Sequence, residues 1–165
     1  MSRGLKLIII TKQSLKNFEK MDKVLLGKDL ILMLLSISPI KGNTKLQKQV
    51  FLAWKTIFND VTVDLGFFPW MFGAYSKAVE DSTRILLKQG YVRMKPGRGE
   101  GLRYSITPKG LRKIRTKLRE LRIGLRDLPE KKIDWDEWST KGILRHVYRN
   151  YPQYTTKTKV PSLKW

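Results

Sequence analysis

The chain is 165 residues long and carries 34 Lys and Arg against 14 Asp and Glu, a formal net charge of +20 and a sequence pI near 10.3. Hydrophobic residues make up 41% of it and aromatics 10%, which excludes a disordered basic tail and leaves material for one core with appendages. Cysteine is absent and His146 is the only histidine, which excludes disulfides, thiolate nucleophiles and cysteine-held metals.

Residues 5–11, rich in Ile, predict a short strand, and Ser14 can cap a following helix that runs to about Leu26. Residues 28–37 predict a buried helix that ends before Pro39, with a turn over residues 39–42. Thr44 then caps a helix to about Phe58, whose buried stripe is Leu46, Val50, Ala53, Trp54 and Ile57. The aromatic stretch 61–75 has no clear period, and Pro69 and Gly73 mark it as loop-like. Ser76 is the N-cap of a helix over 77–89 that Gly90 stops; Val79, Thr83 and Leu86 face inward, while Lys77, Glu80, Asp81, Arg84 and Lys88 face out.

After Gly90 the period changes from helical to alternating. Residues 91–95 and 102–106 predict a two-stranded hairpin around the glycine-rich tip 96–101. Gly97, Gly99 and Gly101 read as a hairpin tip and not as a phosphate-cradling loop, because no strand-loop-helix nucleotide site surrounds them. Thr107 and Pro108 start a helix over about 109–126, with Leu111, Ile114, Leu118, Leu121 and Leu125 spaced as in a coiled-coil seam. That stripe serves either a homodimer or the helix's packing on its own domain. The acidic residues 127–137 predict a linker whose Trp135, with Trp138 just beyond it, docks on the body. A last helix over 140–151 turns Ile143, Leu144, Val147 and Tyr148 inward, and the tail 152–165 is basic, aromatic and expected to be poorly ordered alone.

The expected organisation is an extension over 1–27, a domain over 28–126, and an acidic linker, short helix and basic aromatic tail over 127–165. Three helices, a basic hairpin and a basic helix, in that order, make the expected fold mainly α with a small β-hairpin: α+β, a winged helix-turn-helix with extra N- and C-terminal helices. The most apolar stretch, 24–37, is broken by Gly27, Lys28 and Asp29 and is too short to cross a bilayer, and residues 1–11 lack the features of a signal peptide. The expectation is a cytoplasmic, nucleoid-associated protein with no membrane partner.

A compact body this basic repels itself unless a polyanion offsets the charge, and nucleic acid is the leading polyanion because neutralised phosphates release counterions. A membrane surface is a weaker candidate, and a merely very soluble protein is the bland alternative. Residues 90–126 carry 12 basic and 2 acidic side chains, which is +10 of the net +20. Lys77, Arg84 and Lys88 are expected to approach a groove of duplex DNA, Arg93, Lys95, Arg98 and Arg103 to hold its backbone, and Arg112, Arg115, Arg119 and Arg122 to extend the basic surface. Glu80 and Asp81 near the start of the groove helix repel phosphates, so sequence preference should be weak.

Two other classes stay open. An RNA- or ribosome-associated factor would stack bases on Tyr148, Tyr151, Tyr154 and Trp165. A protein-interaction module would use the aromatic loop 67–75. No catalytic residue, cofactor or metal is expected: His146, between Arg145 and Arg149, reads as a surface or phosphate-facing residue, and Asp60, Asp64, Glu80 and Asp81 have no ligand-spacing motif.

Lys45, Leu46, Gln47 and Lys48, then the aromatic run from Phe68 to Ser76, then Leu86 to Tyr91, resemble the small winged-helix proteins of archaea and their viruses. They are also similar to the antitoxin-associated domain found with phage proteins, in which KLQKLLY precedes YGPYS and a later leucine and glycine. Ala74 stands where that pattern has proline, the similarity spans roughly residues 28–110, and residues 147–154 resemble a closing segment of such proteins. The resemblance implies a winged-helix fold and a regulatory or partner-binding role without catalytic residues.

Overall fold

A computed structural model describes residues 24–97 and 101–164. The expected strand over 5–11 and most of the helix expected after Ser14 lie outside the described residues. At its end, Leu25 is not helical: it bridges in parallel to Thr62, and its N–H donates to the Val61 carbonyl at 2.6 Å.

The first helix, α1 (Gly27–Ile37), is the centre of the molecule. Leu30 to Leu35 are buried on every side, as a helical stretch apolar all round must be, and the next four helices pack about it. Asp29 in its first turn accepts from the Leu26 N–H at 2.7 Å and pairs with Lys117. Residues 39–42 are not a simple turn: Ile40–Lys41 is a strand, β1. Helix α2 (Asn43–Thr56) starts at Gly42 without a side-chain cap, so the capping role expected of Thr44 is not taken. Its residues Leu46 to Ala53 are all buried, whereas Trp54 and Ile57 of the expected stripe are half-buried at the core's edge.

The stretch read as a loop contains an antiparallel hairpin, β2 (Phe68–Trp70) and β3 (Gly73–Tyr75). Aromatic and proline composition hid it, because three-residue strands carry no readable period. Gly73 has φ +83° and lies over the Tyr148 ring, where a Cβ would come within 2.7 Å of Cε1, so both backbone angle and space call for glycine. Helix α3 (Lys77–Lys88) begins as expected: Ser76 Oγ accepts from the Val79 N–H at 3.1 Å, and Val79, Thr83 and Leu86 are its buried residues.

Strands β4 (Val92–Pro96) and β5 (Leu102–Ile106) form the expected hairpin, and β1 joins it to give the antiparallel order β1-β5-β4. Only Val92 of β4 is buried; from Arg93 to Pro96 every side chain is exposed, so the hairpin projects from the body. Helix α4 (Pro108–Leu121) is capped by Thr107 and stops five residues early, at Arg122 in the left-handed conformation. Of its stripe, Ile114 is buried and Leu118 and Leu121 pack against the core, as does Leu125 beyond the helix end; Leu111 is half-buried.

The acidic stretch is a helix and not a linker: α5 (Leu128–Glu137), with Pro129 in its tolerant first turn. Its buried Lys132 donates to Ser38 Oγ at 2.6 Å and pairs with Asp136, which also accepts from Gln49 Nε2 at 2.9 Å. Acidic composition suggested solvent, but Asp136 is a hydrogen-bond acceptor for the α1–α2 body. Helix α6 (Thr140–Asn150) buries Ile143, Leu144, Val147 and Tyr148. The tail is packed: it forms two single 3-10 turns, Pro152–Tyr154 and Pro161–Lys164, and Leu163 is buried. The whole is a mixed α+β fold.

Candidate functional site

The sequence placed its candidate cations on α3, the β4–β5 hairpin and α4, and these elements meet at one joint. Thr107 Oγ1 donates to the Gly90 carbonyl at 2.7 Å, and Lys109 Nζ donates to the Gln89 carbonyl at 2.9 Å. The ammonium groups of Lys109 and Lys113 lie 4.6 and 4.7 Å from the centre of the Tyr91 ring. Gly110 makes the joint possible: a Cβ there would overlap the Tyr91 carbonyl oxygen and come within 2.9 Å of Ile106 Cγ1.

On these three elements and just past the end of α4, Lys77, Arg84, Lys88, Arg93, Lys95, Arg103, Arg112, Arg115, Arg119 and Arg122 are all exposed. Arg98 lies outside the described residues. Among the described residues only Arg84 of this set has an acidic partner, Glu80, at 2.7 Å. Glu80 also accepts from the Tyr75 hydroxyl, which, with Arg84, holds its carboxyl below the usual carboxylate range. Burial and that same hydrogen bond push the Tyr75 hydroxyl up to about 12. Of the two carboxylates set against phosphate contact, Glu80 and Asp81, Glu80 is therefore already engaged within the chain by Tyr75 and Arg84.

Other candidates are dispersed. Asp60 forms a forked pair with Arg126, at 2.7 and 3.1 Å, far along the chain from Glu80. No cluster of three or more His, Asp or Glu able to hold a metal occurs among the described residues. His146 is half-buried against the Trp138 ring, 4.7 Å between centres, and burial lowers its basicity. Tyr148 is buried, and Tyr151 and Tyr154 pack edge-on against Phe51, at 5.0 and 4.9 Å between centres, so these rings serve the core. Trp165 lies outside the described residues. No described helix is long and apolar enough to cross a membrane.

A second feature was not visible in the sequence. The β2–β3 hairpin and the start of α2 enclose a cleft of about 290 Å³, with Lys48, Gln47, Trp70, Met71, Phe72 and Tyr75 around it. Gln47 is fully engaged: Nε2 donates to the Ser76 carbonyl at 2.9 Å, and Oε1 accepts the Ser76 N–H at 3.0 Å. Lys48 Nζ donates to the Ala74 carbonyl at 2.6 Å. Burial pushes this ammonium down to about 7. No family model matches the chain, and no curated protein or solved structure matches it either.

Proposed function

We propose that the chain is a non-catalytic nucleic-acid-binding protein of winged helix-turn-helix type, acting in the cytoplasm on duplex DNA mainly through its phosphate backbone. One observation carries this: the exposed cations of the hairpin and α4, with Lys77 and Lys88 of α3, stand without acidic partners among the described residues. Cations not neutralised within the fold remain available to displace counterions from phosphates. The succession α1, β1, α2, α3, β4, β5, with the β2–β3 hairpin inserted between α2 and α3, and the sheet order β1-β5-β4 support the winged-helix assignment. So does the resemblance of residues 45–48, 68–76 and 86–91 to small winged-helix proteins. In this reading α3 lies at the groove and the projecting hairpin grips the backbone.

The test is a fluorescence-anisotropy titration against labelled duplex DNA over a salt series, with an RNA hairpin as competitor. Log affinity should fall with log salt by about 0.9 per neutralised phosphate. A slope near zero would overturn the proposal, and ready displacement by RNA would move it to RNA.

A second reading, a protein-interaction module, has its own observation. Phe68, Trp70 and Phe72 of the β2–β3 hairpin are 39–43% exposed, where a small domain would normally use such rings as core. Loss of a bound partner protein on W70S and F72S, with DNA binding intact, would favour it.

A further inference from the structure

Among the described residues two lysines are buried, in different ways. Lys132 has Asp136 as counter-ion and Ser38 as a further acceptor. Lys48 is 2% exposed, has no carboxylate beside it among the described residues, and uses one of its three donors, on the Ala74 carbonyl. A buried ammonium without a counter-ion is costly, and a buried, unpaired titratable group lining a cleft marks a candidate site at which a ligand can supply the missing charge.

The surroundings of Lys48 restrict that ligand. The cleft is lined by this one cation and by no acidic side chain, so a single negative charge fits. Lysine is a point donor without the fork that grips phosphate from two sides, and no arginine lines the cleft to supply one. Trp70, Met71 and Phe72 give the lining an apolar part that offers aromatic rings, and Asn43 and Thr44 add hydrogen-bonding side chains to it. A volume of about 290 Å³ corresponds to roughly ten waters at ~30 Å³ each, which suits one ring and its acid and not a peptide.

We propose that the cleft between α2 and the β2–β3 hairpin binds a small organic monocarboxylate with a flat apolar body. Its carboxylate sits on Lys48 Nζ and its body lies against Trp70, Met71 and Phe72. Binding requires nothing of the nucleic-acid surface and is measured without DNA.

The experiment titrates the isotopically labelled full chain with phenylacetate, and in parallel with its neutral counterpart phenylacetamide, and follows backbone amides by NMR. Phenylacetate should give saturable shifts confined to residues 43–48 and 70–76. Phenylacetamide should bind roughly tenfold more weakly or worse, the scale of one charge-assisted hydrogen bond. K48M, checked for folding by its melting curve, should lose the difference between acid and amide. The acid–amide comparison on the unaltered chain decides the matter even if K48M does not fold. No saturable shift in these segments at millimolar phenylacetate, or equal affinity for acid and amide, overturns the proposal.

Discussion

The side chain of Gln47 pairs with both backbone groups of Ser76, Nε2 on the carbonyl at 2.9 Å and Oε1 on the N–H at 3.0 Å. It holds the point where the β2–β3 hairpin turns into α3, and the Ser76 hydroxyl then caps that helix. Q47A leaves the buried Ser76 N–H without its acceptor, so it should cost about 1–3 kcal/mol. A thermal melt measures the loss. An unchanged melting temperature would mean that the start of α3 is held by other contacts.

Gly110 should tolerate no side chain. Its Cβ would meet the rigid Tyr91 carbonyl, and neither α4 nor the hairpin base can move without breaking the Thr107 bonds to Gly90 and Tyr91. G110A should destabilise by about 1–3 kcal/mol, the range of overpacked sites. G124A is the control: its Cβ would come no nearer than 4.0 Å to the Arg126 amide nitrogen, and its effect should stay within ~0.5 kcal/mol. Urea unfolding of the two variants compares them.

Stability should rise with pH above neutrality. The folded-state value of Lys48 is about 7 against 10.5 for the ordinary group, so between these the unfolded chain holds a proton that the folded chain has released. Stability rises wherever the unfolded state binds more protons, here by at most about 1.4 kcal/mol per pH unit. Lys132 is also held below its ordinary value by burial and adds in the same direction, so the difference between the parent and K48M isolates Lys48. Denaturant midpoints from pH 7 to 10 should rise less steeply for K48M. Equal slopes would show that Lys48 is not titrating in this window.

Electrostatic variants should separate within the basic surface. Removing the Glu80 carboxylate by E80Q frees Arg84, and DNA affinity should tighten by up to about fivefold, the scale of an exposed ion pair. R112Q and R115Q should each lower the salt slope by about one if the side chain contacts a phosphate. A K132Q change, within the buried network, should alter stability and leave the slope alone. Slopes that do not respond to Arg112 or Arg115 would remove α4 from the interface.

Elements with a local cause were legible in the sequence. Ser76 and Thr107 cap helices through bonds to residues three positions on, and the 3.6-residue spacing of Val79, Thr83 and Leu86 named the buried face of α3 without further context. The β4–β5 hairpin was equally plain, because its alternation and glycine tip are local patterns. The exposure of the basic residues followed from charge itself, since unpaired ammonium and guanidinium groups are driven to water.

Tertiary structure decided everything that depends on a distant partner. Strand β1 exists because Ile40 and Lys41 meet Tyr104 and Arg103, more than sixty positions away. The acidic residues 128–137 form a docked helix because Asp136 finds Lys132, Ser38 and Gln49 at once. Leu118 and Leu121 turn to the chain's own core, where apolar surface was already available. Lys48 became unusual only when the β2–β3 hairpin closed over it, since a lysine in sequence is a soluble cation and its burial is set by what folds against it.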